Sequence, residues 1–131
     1  MSALRILLAG MNNFRWQSYH NHLRADGLVP RLVFSGVECV AALRHFRPHL
    51  LVLDPNIPWG GGDGVLAIRD EEPELNQTQV MILTAGCDPS LLYRMSNYAI
   101  DDLVWQPVSA SFLHQRLERL LKFQRAELTA L

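Results

Sequence analysis

A chain of 131 residues, 49% of them hydrophobic, is long enough to bury one sizeable core and too short for two domains of ordinary size. Its 12 Lys and Arg against 13 Asp and Glu give a formal charge of -1. It therefore lacks the dense positive field that nucleic-acid phosphates or anionic lipids attract, and neither partner class is expected.

Cys39 and Cys87 lie far apart and match no metal spacing, so they read as reduced, buried thiols of a cytoplasmic protein. The opening "MSALRILLAG" carries one short apolar run. It is too brief for a signal-peptide core or a membrane span, and a cytoplasmic location is expected.

In chain order, "LRILLA" (Leu4–Ala9) predicts a first strand. A helix follows, capped by Asn13 and closed at Gly27, with Phe14, Tyr19 and Leu23, and Trp16 beside them, at roughly helical spacing. The second strand, Leu28–Phe34, contains Pro30, which cannot donate to a ladder and so belongs at a sheet edge. Ser35 caps the next helix, "GVECVAALRHF", whose predicted inner face is Val37, Val40, Ala41 and Leu43/Arg44, ending before Pro48.

The third strand, "LLVLD", stops on Asp54, a carboxylate placed where a buried strand meets the mouth of the sheet. Gly60–Gly62 then reads as a flexible loop, since it matches neither GxxxxGK[ST] nor GxGxxG, with Trp59 as a lid over the crevice. A short helix from Val65 to Glu71 ends before Pro73. Val80–Ala85 is a fourth strand, Asp88-Pro89 opens a helix to about Tyr98, and Asp102–Trp105 is a fifth strand.

Ser109 caps the last helix, with Phe112, Leu113, Leu117, Leu120 and Leu121 as its packing stripe. Arg116, Arg119, Lys122 and Arg125 form its solvated basic face. His20, His22, His45, His49 and His114 show no metal spacing with a carboxylate, and no metal site is expected.

Five β–α repeats with short connections imply a single doubly wound α/β domain over residues 1–131, because each right-handed crossover lays a helix over a parallel sheet. The order 2-1-3-4-5, the flavodoxin-like arrangement, puts the Pro30 strand at an edge and opens a crevice between strands one and three. Asp54 lies there.

Pro58 follows Asp54 by four residues, Asp63-Gly64 opens the third helix, "LTA" (Leu83–Ala85) ends the fourth strand, and "DDLVWQPVS" runs from the fifth strand through Pro107. In this order and spacing the chain resembles the receiver domain of two-component response regulators, the CheY-like family, over essentially its whole length. The resemblance implies that Asp54 stands at the phosphoacceptor position and that the Thr84 hydroxyl contacts phosphoryl oxygens. It places Gly10, Met11, Asn12, Asn56, Gln106 and Pro107 around the same pocket. It also assigns output and dimer contacts to the surface of the fourth helix, fifth strand and fifth helix, which carries Leu103 and Trp105. As a tryptophan, Trp105 suits either a core position or an exposed anchor there.

Set against the family, this sequence departs from it at the charged positions. The two acids that hold magnesium fall on Gly10 and Met11, the lysine on Gln106, and the aromatic switch residue on Leu103. In an ordinary receiver three carboxylates, a lysine and Mg²⁺ cancel; here Asp54 stands alone. Losing a lysine at hydrogen-bond distance forfeits an attraction of about 4 kcal/mol at an effective dielectric of about 20, worth roughly several hundredfold in rate if most is felt in the transition state. Asp54, the Asn56 carbonyl and the Asn12 amide make a poor magnesium site.

The favoured expectation is an atypical, stand-alone receiver-like signalling domain acting by protein–protein contact, with little or no Mg²⁺-dependent phosphorylation, no cofactor and no enzymatic activity, Asp54 serving to cap its loop. The first alternative is a phospho-accepting response regulator using Asp54 with Mg²⁺. The second is a small-ligand sensor using the Trp59 loop and the crevice. Expected partners are a histidine kinase, a downstream signalling protein, or a second copy docked through the fourth helix, fifth strand and fifth helix.

Overall fold

The computed structural model describes residues 3–86 and 88–129, and of residues 123 and 125–129 the backbone alone. Cys87 and the Arg125 side chain lie outside the described residues. Strands β1 (Arg5–Ala9), β2 (Val29–Val33), β3 (Leu50–Leu53), β4 (Gln79–Thr84) and β5 (Asp102–Trp105) alternate with helices α1 (Phe14–Ala25), α2 (Gly36–Phe46), α3 (Gly61–Glu71), α4 (Pro89–Met95) and α5 (Ala110–Thr129). All strand pairs are parallel, in the order β2-β1-β3-β4-β5, as the β–α alternation predicts. Pro30 sits on the edge strand β2, opposite Ile6.

The strand side chains divide by period two between two helical layers. Ile6, Leu8, Leu50, Val52, Met81, Leu83 and Val104 pack with α1 and α5. Leu7, Ala9, Leu51, Leu53, Val80 and Ile82 pack with α2, α3 and α4. With both faces covered, the central strands are continuous apolar runs, and β3 is buried at all four residues.

Local capping chemistry starts three helices where the sequence predicts. Asn13 Oδ1 accepts the Trp16 N–H at 3.1 Å, Ser35 Oγ the Glu38 N–H at 3.0 Å, and Ser109 Oγ the Phe112 N–H at 3.0 Å. Gly27, at φ 83°, takes the left-handed turn after α1.

The predicted helix faces need correction. In α1 the buried residues are Trp16, Tyr19 and Leu23, while Phe14 is 87% exposed. Two residues before Trp16, it lies about 160° away around the helix. In α2 the inner face is Cys39, Ala42 and Leu43; Val37, Ala41 and Arg44 face outward. Cys39 is the buried thiol the sequence predicts, and desolvation pushes its pKa up to about 12. In α5, Leu113, Leu117 and Leu121 are buried at i, i+4 and i+8, and Phe112 is exposed.

Two helix boundaries also differ. α3 begins at Gly61, so Gly61 and Gly62 form its first turn rather than a flexible loop. The Gly62 N–H donates to Pro55 O at 3.1 Å, and a Cβ at Gly62 would lie 2.8 Å from Pro55 Cα. Only a glycine lets that turn sit down on the loop after β3. α4 ends at Met95 rather than near Tyr98, because the Ser96 hydroxyl and the Asn97 amide donate to the carbonyls of Tyr93 and Arg94.

Candidate functional site

The crevice lies at the carboxyl ends of β1 and β3. The Asp54 N–H donates to Ala9 O at 2.9 Å, extending the β1–β3 ladder one step beyond the Ala9–Leu53 pair. Asp54 is thus held beside Gly10. Its side chain is 6% exposed, and Oδ1 accepts the Asn56 N–H at 2.9 Å, an Asx turn that closes the loop. Burial raises its carboxyl pKa above the ordinary value, and the hydrogen bond from Asn56 opposes that rise. Among the described residues, no ion pair includes Asp54.

Gly10 explains why no second carboxylate stands here. A Cβ built on it would fall 2.2 Å from the Trp16 ring. Trp16 is 1% exposed and packs edge-on against Tyr19, with ring centroids 5.8 Å apart. The indole therefore fills the volume that any side chain at residue 10 requires. Met11 is half-buried against the α1/α5 side of the core, and Asn12 Oδ1 accepts from Gln17 Nε2 at 3.1 Å.

The opposite wall is tied together through Gly86. Asn56 Nδ2 donates to Gly86 O at 2.8 Å, and Thr84, fully buried, accepts the Gly86 N–H on Oγ1 at 3.0 Å. The loops after β3 and β4 are joined by these bonds. Gln106 is engaged with β4, through its N–H to Thr84 O at 2.7 Å and its Nε2 to Leu83 O at 3.4 Å, and a cis peptide leads to exposed Pro107. The nearest helix-borne acid in sequence, Asp63, is held by Arg94 at 2.9 Å, which keeps its carboxyl below the usual range.

Magnesium requires near-octahedral oxygen ligation, commonly with one or two carboxylates besides phosphate oxygens and water. Residues 10–12 bring no carboxylate to the crevice: Trp16 is seated on Gly10, Met11 is apolar, and the Asn12 amide is directed to Gln17.

Trp59 is not a lid over this crevice. It is 77% exposed at φ 56° and walls a separate apolar groove of about 420 Å³ between α2 and α3, with Val37, Val40, Val65 and Ile68. The cause is a close backbone approach: Gly36 N–H donates to Pro58 O at 2.8 Å, drawing the loop onto the start of α2.

On β5, Leu103 and Trp105 pair with Ile82 and Thr84, while Val104 between them is buried in the α1/α5 core. Trp105 is 55% exposed, which decides between its two expected positions in favour of the surface. Tyr93 on α4 and Phe112 on α5 are exposed as well.

Sequence reasoning missed two groupings. The Trp16–Gly10 contact left no local signal. His22, Asp26 and His114, by contrast, include an i, i+4 spacing that was readable, and α1 and α5 bring all three together.

No family model matches the chain. Against curated proteins, it is 27% identical over 106 residues to the phosphate regulon transcriptional regulatory protein PhoB of Rhizobium meliloti, covering 81% of this chain and 47% of that protein. The chain spans less than half the length of the curated relatives it matches. Among solved structures, it superposes on the signal receiver domain of a signal transduction histidine kinase from Syntrophus aciditrophicus with a TM-score of 0.80, 26% identity, and coverage of 92% and 91% of the two chains. The receiver domain of sensor histidine kinase PA1611 from Pseudomonas aeruginosa, with a magnesium ion coordinated in its active-site cleft, gives a TM-score of 0.81 at 19% identity, covering 92% of this chain and 99% of that one.

Proposed function

From a chain with the fold of two-component receiver domains, we propose an atypical receiver-type signalling domain that works by protein–protein contact, without magnesium-dependent phosphorylation of Asp54. The observation that carries this reading is the Trp16 indole packed where a Gly10 side chain would stand. Phosphoryl transfer to a carboxylate needs cations to offset charge on the transferring group and to hold it in line. Asp54 has no ion-pair partner among the described residues, and its side chain accepts a hydrogen bond from its own loop, from the Asn56 N–H. Its burial also favours the protonated carboxyl, a poorer nucleophile than the carboxylate.

Tyr93, Leu103, Trp105 and Phe112 form the contact surface, where a signalling protein or a second copy docks. An exposed tryptophan and a tyrosine supply large anchors of the kind that dominate interface energies. Leu103 lacks the ring that would turn with phosphorylation in the family it resembles, so this face works as a static one.

Incubation with a small-molecule phosphodonor and Mg²⁺, under conditions that load an ordinary receiver, is expected to leave the intact mass unchanged. A stoichiometric, Mg²⁺-dependent gain of one phosphoryl group, lost in Asp54→Asn, overturns this reading in favour of a phospho-accepting regulator.

A further inference from the structure

We propose that His22, Asp26 and His114 form a binding site for a borderline divalent transition metal of the zinc class, joining the end of α1 to the start of α5. The site lies between α1 and α5 and does not depend on the reading given to Asp54.

His22 lies in the last turn of α1, and Asp26, four residues on, is the residue that closes the helix. That spacing places both side chains on one helical face. His114 comes from the second turn of α5. The two helices are locked in register by the Tyr19 hydroxyl, which donates to Val108 O at 2.9 Å just before α5 begins. The result is a convergent set. His114 Nδ1 lies 2.8 Å from Asp26 Oδ2, and His22 Nε2 lies 3.5 Å from the same oxygen. One ligand atom from each of the three residues falls within 4.8 Å of the others.

A zinc ion with ligands at about 2.0–2.1 Å in a tetrahedral shell holds its donor atoms about 3.3 Å apart. The two contacts to Asp26 bracket that spacing. The ring-to-ring separation has to close somewhat, and the rings, with centroids 5.4 Å apart at 71°, need only tilt toward each other to do so. His114 also has the outer partner that metal-binding imidazoles characteristically carry: its Nε2 is 3.1 Å from Glu118 Oε1. With a metal on Nδ1, the Nε2 N–H would be the one facing the Glu118 carboxylate.

The donor chemistry selects the metal class. Two imidazoles and one carboxylate suit Zn²⁺, Co²⁺, Ni²⁺ or Cu²⁺, whereas Mg²⁺ and Ca²⁺ require oxygen-rich shells. Asp26 brings one negative charge to the ion, and the Glu118 carboxylate lies beyond the His114 ring. The side chains are 21–44% exposed, so an ion has direct entry and a solvent-facing position remains for water or an external ligand. Binding would pin α1 against the helix that carries Phe112.

The test uses the untagged full chain. Co²⁺ titration, followed by visible d–d absorption, and calorimetric titration with Zn²⁺ are expected to saturate at one equivalent at micromolar metal. His22→Ala and His114→Gln should each weaken binding at least tenfold, and Glu118→Gln should weaken it by roughly tenfold through loss of the outer hydrogen bond. Absence of binding below millimolar metal overturns the proposal, as does a stoichiometric site unaffected by His22→Ala. Should His114→Gln fail to fold by circular dichroism, His22→Ala decides alone, because that ring is 31% exposed and removable without opening the core.

Discussion

With a Cβ at residue 10 falling 2.2 Å from the Trp16 ring, an aspartate there has to expel an indole that is 1% exposed. Gly10→Asp is therefore expected to cost about 3 kcal/mol or more, the upper end for overpacked cores. Urea denaturation measures it. In a Trp16→Ala background the added cost of Gly10→Asp should shrink by more than about 0.5 kcal/mol, the limit of additivity for independent sites. Full additivity would show that the indole is not what excludes the side chain. At Asp54 the folded pKa is raised, so between the ordinary and the raised value the native state binds more protons than the unfolded chain. Stability then falls as pH rises through that window, and above it the buried charge remains a standing cost. Asp54→Asn keeps an acceptor for the Asn56 N–H and removes that charge. Its thermal midpoint is expected to exceed that of the wild type at neutral pH, with the gap closing as pH falls to the carboxylate range. Identical pH profiles for the two proteins would contradict this account.

At the scale of the element, β5 presents the sharpest contrast. Val104 faces the α1/α5 core, whereas Leu103 and Trp105 stand exposed on the other side of the same strand. Trp105→Ala is accordingly expected to change folding stability by no more than about 0.5 kcal/mol, where Trp16→Ala loses about 3–5 kcal/mol. Chemical denaturation of the two variants compares them directly. Association of the chain with itself or with a captured signalling partner, followed by analytical ultracentrifugation, should weaken in Trp105→Ala and persist in Asp54→Asn. Equal association of wild type and Trp105→Ala would sink the surface assignment. α3 and α4 are coupled by the Asp63–Arg94 ion pair, and the β3 and β4 loops by the bonds to Gly86. The crevice wall is thus cross-linked by ordinary polar contacts.

For the whole molecule, a ligand that binds only the native state raises the thermal midpoint once its concentration passes Kd. Millimolar Mg²⁺ is expected to leave the midpoint unmoved, because Gly10 and Met11 beside Asp54 add no carboxylate to it. A saturable rise with Mg²⁺, abolished in Asp54→Asn, would show that neighbouring amides suffice as ligands. The two helical layers divide the molecule's candidate sites between them. The crevice opens at the strand ends, the apolar groove lies between α2 and α3, and the histidine cluster joins α1 to α5. Among the described residues, no helix is long and apolar enough to cross a membrane.

Strand positions, sheet order and three helix caps were legible in the sequence because their causes act locally. Buried apolar runs end at turn residues, Asn13, Ser35 and Ser109 each bond an N–H three residues on, and Pro30 cannot serve a central strand. The position of Asp54 at the crevice followed from the same logic, since a parallel order with Pro30 at the edge puts the ends of β1 and β3 side by side. Which apolar residues face inward was only partly legible: Phe14, Val37 and Phe112 satisfy a loose helical period yet lie outside, because the neighbouring layer decides which arc of a helix is covered. The Gly61–Gly62 turn became helix through its approach to Pro55, a contact across the chain. Likewise, sequence alone showed that Gly10 lacks a carboxylate, but only the packing of α1 on β1 put Trp16 in its place. His22 and Asp26 declared their spacing, while His114 reached them only through the docking of α5, since through-space convergence depends on how elements pack and not on any residue's neighbours in the chain.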